Sequence, residues 1–414
     1  MDSLTATRSQ ADPEVHRRAA ADALVSAARA LRPALRAKQQ VHEDAGGYDE
    51  ETHRAFLAAG LYRILQPAEF GGLQLGFDAF LRVAIEISRA DPGVGWNYTL
   101  ASGHAFHIGS FLSPQAQAEI FAGDFIAPGR TIPMGRATRV PGGYQVDGTW
   151  DYCSGSTWAT HAMVVAPTFE EDGTALGPRL FVVTADQFVP LDDWGGDQVL
   201  GMRASGSNSL RVSEAFVKES WSVPYDFREH ELGATGPAGF ATHPDPVYVG
   251  RTMTFFNAEL VASQVGAAWA ALDEYEEQLL TKSASFPPRQ PRTDAAEYHR
   301  WFGRALALTD SAENLLLGAV RQYTELAQLW METGREFTPE EDGRLRAVVQ
   351  QAAQLAGEAV DIVFTTAGSS SARRGSRIQK YHRDVSMYRT HIAAQWDVTH
   401  NSLSRYHFGQ PLTF

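Results

Sequence analysis

Apolar residues along the chain fall first at helical spacing, then alternate, then return to helical spacing to the end. From Pro13 to about Lys38 an alanine-rich, arginine-studded segment spaces its leucines and valine at helical intervals, predicting a helix bent or broken at Pro33. In DEETHRAFLAAGLYRI the acidic Asp49, Glu50 and Glu51 suit a helix start and Gly60 its stop. Glycines 71, 72 and 76 make the next stretch a loop, and helices are expected over Phe77–Arg89, Val94–Leu112 and Pro114–Phe121. Near Ile126 the texture changes to short, valine-rich, alternating runs separated by turn residues, an antiparallel β region that ends near Pro224. Tyr225 to Pro246 reads as loop. Four long helical segments follow, Arg251–Thr281, Ala295–Met331, Pro339–Ala367 and Arg377–His407, whose alanine-rich faces predict a four-helix bundle. The fold class expected is α+β: an N-terminal helical domain over 1–124, a central barrel-like β domain over 125–224 and a C-terminal bundle over 225–414.

Composition narrows what such a chain does. With 414 residues, 44% of them hydrophobic, it buries a large core. A net charge of −13 opposes nucleic acid and anionic membrane as partners, and neither is expected. Cys153 is the single cysteine, so no disulfide forms within the chain and a reducing, cytoplasmic setting is expected. The N-terminus lacks the apolar core of a signal peptide, and no stretch is long enough for a spanning helix.

The chemistry concentrates near the C-terminus. Thr366 to Trp396 reads as a glycine and serine loop feeding a helix that carries His382, Tyr388 and His391 among Arg383, Asp384 and Arg389. Val385, Ile392 and Trp396 form its apolar face, so the helix is a candidate pocket wall; the plainer reading is a solvated helix with incidental histidines. His104 and His107 stand three apart on one helical face, but no carboxylate sits at a ligand spacing, and no metal site is expected. On residue type alone, Ser154 and Ser156 are turn serines flanking Gly155.

Four stretches, in order, resemble the acyl-CoA dehydrogenase fold family. They are YRILQPAEFGG (Tyr62–Gly72), GGYQVDGTWDYCSGSTWATHAMVVA (Gly142–Ala166), LGMRASGSNSLRVSEAFV (Leu200–Val217), and TAGSSS followed by HRD. The tail WDVTHNSLSRYHFGQPLTF lacks the glutamate that dehydrogenases of this fold carry, and R-E-Q-F-G is missing after Leu272. In the family some members carry the base on the first bundle helix, here near Asn257 with Glu259 close by. R-D-V-x-x-x-x-x-H, Arg383 to His391, instead resembles the two-component flavin monooxygenases of the fold, which include phenol hydroxylases, dibenzothiophene monooxygenase and amino-sugar N-oxygenases.

That resemblance implies an oxygenase component that takes reduced flavin (FMN or FAD) from a separate flavin reductase and reacts it with O2 at flavin C4a. The substrate would be a small aromatic or amino-sugar-like molecule, hydroxylated or N-oxygenated. It places Ser154 beside the flavin ring, Tyr152 against it and Ser156 as the alternate hydroxyl; Arg203, Ser205 and Ser207 line the flavin or substrate side. His391 is the implied base and His104 the implied substrate-facing histidine, with His107 as its alternate. Gly368, Ser369, Ser370 and Ser371 would bind flavin phosphate, in the family often that of a neighbouring subunit, which implies a homotetramer. Two other readings stand beside this one: an acyl-CoA dehydrogenase with a displaced base, and a non-catalytic flavin-binding protein.

Overall fold

The computed structural model describes residues 13–225, 232–284, 287 and 289–410. Seven helices come first: α1 (Pro13–Ala37), α2 (Gln39–Ala45), α3 (Glu50–Ala58), α4 (Phe77–Ala90), α5 (Pro92–Gly103), α6 (Ala105–Phe111) and α7 (Pro114–Ile120). α1 passes Pro33 without interruption and ends four residues later at Ala37. The Asp49 carboxylate caps α3 by accepting from the Thr52 N–H at 2.9 Å, and Gly60 leaves the helix with φ 72°.

One sheet follows, built of β1 (Gly129–Arg130), β2 (Arg136–Val140), β3 (Gly143–Trp150), β4 (His161–Phe169), β5 (Ala175–Thr184), β6 (Phe188–Pro190), β7 (Leu210–Lys218) and β8 (Ser222–Pro224). Its order is β6-β7-β3-β2-β4-β5-β8, with β1 also on β4. The sheet is antiparallel except where β4 pairs in parallel with β1 and β2, so it is mixed and not purely antiparallel as its alternation suggested. Alternation reports which face is buried; it says nothing of strand direction. Tyr144, Val146, Trp150, Val164, Phe181 and Leu210 fill a core of the sheet's own.

The bundle comprises α8 (Met253–Thr281), α9 (Ala296–Thr333), α10 (Pro339–Thr366), α11 (Arg377–Tyr388) and α12 (Trp396–His407). α8 is buried on nearly every face between α4, α9 and α10, and its alanines let those neighbours approach closely. The helix expected over Arg377–His407 is broken: Arg389 to Gln395 leave α11, make a short 3-10 turn at Ile392–Ala394, and re-enter as α12. The segment expected as one helix over Val94–Leu112 is likewise two, meeting at His104. The break at Arg389–Gln395 holds no glycine or proline, which is why periodicity ran through it; the break at His104 follows Gly103, a mark that the periodicity overrode. The α+β expectation, helices then sheet then bundle, is borne out.

Candidate active site

A cavity of about 560 Å³ opens where the sheet meets α5, α8 and the α11–α12 break. The turn after β3 forms one wall. Tyr152 holds φ 54° and Gly155 φ 91°, and a Cβ on Gly155 would lie 2.7 Å from the Ala101 nitrogen. The turn is therefore pressed on α5, which brings Ser154 to Trp96.

Trp96 Nε1 donates to Ser154 Oγ at 2.9 Å, and the Ser154, Ser207 and Ser205 hydroxyls form a chain with both O···O distances 2.6 Å. The direction of that chain follows from satisfaction. Ser205 is fully buried, and among the described residues the Ser207 oxygen is the one acceptor for its proton. Ser205 therefore donates to Ser207 and Ser207 to Ser154. With its oxygen accepting twice, Ser154 keeps its own proton for the cavity it lines. Tyr152 stands at the rim, half exposed, with the Arg130 guanidinium 5.7 Å from its ring centroid. Arg130 is paired to Asp151 at 3.1 Å, yet its buried Nε has no hydrogen-bond partner among the described residues.

The two cavity histidines are held in opposite tautomers. His104 Nδ1 lies 2.6 Å from the Ala127 carbonyl, which only accepts, so Nδ1 carries the proton and Nε2 keeps a lone pair. His391, at the helix break, accepts the Ala393 N–H on Nδ1 at 3.1 Å, so its neutral ring carries the proton on Nε2. Burial pushes both down to about 4, so both are neutral at pH 7. His391 packs edge-on to Trp96 at 5.4 Å between ring centroids. His107 turns away: it is buried, stacks on Phe256 at 4.8 Å, and does not line the cavity.

Other expected site residues lie elsewhere. Ser156 donates to the Gly206 carbonyl at 2.7 Å as a turn residue, and Arg203 is spent on the Val199 carbonyl and Asp197. Ser205 and Ser207 stand behind Ser154, not on the cavity. Gly368 to Ser371 do not line this chain's cavity; Ser369 and Ser370 are exposed, and Ser371 bonds Gln278. Arg251 is buried against the Phe337 carbonyl and Glu336 at 2.6 and 2.8 Å, which is a structural use of the charge. Cys153 is fully buried, and burial raises its thiol to about 12, as befits a packing residue.

Sequence reasoning missed Arg130 and the α12 lining, where Val398, Ser402, Leu403 and Tyr406 close the cavity. A flavin fits this donor set: the Ser154 proton and the orphaned Arg130 Nε meet polar ring edges, and Trp96, Leu100 and Phe256 give apolar walls.

The chain matches the family model for the acyl-CoA dehydrogenase N-terminal domain over residues 18–122 and that for the C-terminal domain over residues 259–396. It is 29% identical over 395 residues to a pigment production hydroxylase of a Rhodococcus species, covering 94% of this chain and 97% of that one. It is 28% identical over 399 residues to the flavin-dependent monooxygenase oxygenase subunit HsaA of Mycobacterium tuberculosis, covering 94% and 96%. The crystal structure of HsaA superposes with a TM-score of 0.83 at 25% identity, over 95% of this chain and 99% of that one. The chain belongs to the flavin-dependent monooxygenases of the acyl-CoA dehydrogenase family. A further relative of this monooxygenase is the oxygenase component of p-hydroxyphenylacetate 3-hydroxylase from Acinetobacter baumannii, 24% identical over 370 residues, covering 86% and 82%. As an oxygenase component the monooxygenase uses reduced flavin and O2 and relies on a flavin reductase partner. No helix among the described residues is long and apolar enough to cross a membrane, and no cluster of metal-ligating side chains occurs among them.

Proposed function

We propose that this monooxygenase hydroxylates a small phenol or a comparable electron-rich aromatic, held between His104 and His391 and in front of Ser154. The carrying observation is the pair of opposed tautomers: His104 offers a lone pair and His391 an N–H to one cavity. When bound, reduced flavin supplies the electrons that activate O2 for transfer of one oxygen atom. The chain's own groups do the rest. His104 Nε2 accepts the hydrogen bond of the substrate hydroxyl, and His391 Nε2–H stabilises the negative charge drawn onto that oxygen. With a pKa of about 4, His104 polarises the hydroxyl and does not take its proton outright. The role assigned to His391 thus shifts from base to donor. Ser154 donates into the flavin side, while Trp96, Leu100 and Phe256 keep water away.

The dehydrogenase alternative needs an ionised carboxylate at the reacting carbon. Glu259 is the carboxyl nearest that description, and burial raises it well above the ordinary carboxylate range, which disfavours the ionised form that a base needs. We further propose a homotetramer in which Gly368–Ser371 serve the flavin of an adjoining copy; the position of this loop away from its own cavity supports that reading. The experiment supplies the purified chain with photoreduced FMN or FAD, air and a phenol, in the absence of any reductase. Catechol-type product is expected, and no turnover with an acyl-CoA and an electron acceptor; the reverse pattern would sink the proposal.

A further inference from the structure

Glu259 is not consumed by the chemistry above, yet it lines the cavity from α8 and is only 1% exposed. Its Oε2 has no hydrogen-bond partner, and no ion pair reaches it among the described residues. Room for it was made deliberately at Gly103, where a Cβ would lie 2.4 Å from Oε2. Two residues earlier, Asn257 spends its amide N–H on the Met253 carbonyl at 2.9 Å and leaves Oδ1 buried without a donor among the described residues. This stretch of α8 therefore presents to the cavity a carboxyl and an amide oxygen whose polar atoms Glu259 Oε2 and Asn257 Oδ1 have no hydrogen-bond partner among the described residues. A buried acceptor left unsatisfied costs about 1–3 kcal/mol, and more when it is a carboxylate. Of the arginines that line the cavity, Arg130 pairs with Asp151 and Arg251 with Glu336, and neither they nor Arg346 pairs with Glu259 among the described residues. A bound cation would supply Glu259 Oε2 with a donor and a charge that no hydrogen bond or ion pair gives it among the described residues, the nearby Tyr225 hydroxyl included.

We propose that Glu259 selects an aromatic substrate bearing a basic nitrogen, whose ammonium group pairs with this carboxylate while the ring hydroxyl lies between His104 and His391. The inference rests on the phenol-hydroxylating reading and names the substrate class within it. An ammonium brings three N–H donors and a charge; in a poorly hydrated site that pair is far stronger than in water. On docking, the carboxyl releases its proton to solvent as the ammonium takes its place. A carboxylate-bearing aromatic would meet like charge or an acid it cannot satisfy, and a neutral one would leave the α8 acceptors bare.

The test titrates the full chain, with oxidised FMN or FAD present, by isothermal calorimetry with matched pairs on two rings. The probes are tyramine against 4-ethylphenol, tryptamine against 3-ethylindole, and 4-hydroxyphenylacetate as the anionic control. On at least one ring the amine is expected to bind about tenfold or more tightly than its neutral match, and the anion most weakly. Glu259→Gln should bring the amine to the level of the neutral compound and leave the latter within about threefold. Equal or tighter binding of the neutral or anionic compounds overturns the proposal, as does failure of both amines to bind or an unchanged preference in Glu259→Gln. Should Glu259→Gln not fold, the wild-type series decides alone. Hydroxylation of 4-ethylphenol with no amine preference would leave the proposed function standing and this inference fallen. Amine binding through Glu259 without any aromatic hydroxylation would do the opposite.

Discussion

At the scale of single residues, the site turns on where a few protons sit. Ser154 keeps a free proton because Ser207 and Trp96 fill its acceptor positions, and Ser207 can donate forward because Ser205 donates to it. Ser154→Ala is therefore expected to lower product formed per O2 consumed by about tenfold, and Ser207→Ala by a few-fold through loss of one directing bond. Parallel oxygen-electrode and chromatographic assays check this, and the shift of the flavin visible band on binding should shrink in the same order. If Ser207→Ala matches wild type in both readouts, the hydroxyl chain is only packing. His391→Gln keeps a side-chain N–H donor and should retain more activity than His391→Ala; equal losses would argue against the donor role. Ser154 and His391 were legible in the sequence because each sits in or beside a stretch with family likeness, whereas His104 stood out only as one of two histidines three apart on a helical face. Their tautomers and hydrogen-bond directions were not, since these depend on the carbonyl of Ala127, the N–H of Ala393 and the burial of Ser205. Arg130 gave no signal at all, being one arginine in a two-residue strand.

At the scale of elements, the active site is assembled by breaks in helices and by the contacts that hold the broken ends. Period and length placed most helices to within a residue or two, because amphipathic stripes and the Asp49 and Thr338 caps are written locally. The interruption at Arg389–Gln395 left no glycine or proline to mark it, and that at His104 only Gly103. α11 is fixed by a buried charge cluster: Lys380 Nζ lies 2.9 Å from Asp91 and 2.8 Å from Asp384, while the other Asp384 oxygen accepts the Met202 N–H at 2.7 Å. Burial alone would lower the Lys380 pKa, but Asp384, Asp91 and Glu43 together raise it, so the ammonium is locked on. The cluster ties α11 and the start of α5 to the loop carrying Ser205 and Ser207, and that loop stands behind Ser154. Lys380→Met leaves Asp91 and Asp384 buried without their cation, and a loss of about 3–5 kcal/mol is expected in urea unfolding. The paired change Lys380→Met with Asp384→Leu should recover part of it. A near-neutral single variant would show that water, not Lys380, satisfies these carboxylates.

At the scale of the whole molecule, buried titratable groups set the response to acid. His42, His53, His104, His107, His161, His243 and His391 all have pKa values lowered by burial, three of them, His104, His161 and His391, to about 4. Between the ordinary 6.5 and about 4 the unfolded chain binds protons at these positions that the folded chain refuses, so stability present above pH 6.5 is lost as pH falls through that window. Glu259 and Asp342 act with the opposite sign: burial raises both, so their contribution is present at low pH and lost as pH rises through their folded values. The three histidines at about 4 already outnumber the two carboxyls by one proton, and the other four histidines add to the difference. Stability should therefore fall by about 1–2 kcal/mol per pH unit or more from pH 6 to pH 5, read from urea midpoints at each pH. His161 offers a control away from the cavity, since it packs on Phe125 and Trp221. His161→Gln removes one of the refused protons, and the slope near pH 5 should flatten by about 1.4 kcal/mol per unit. A slope that is flat or reversed in the wild type would mean that the carboxyls outweigh the histidines and that the cavity protonates before the fold yields.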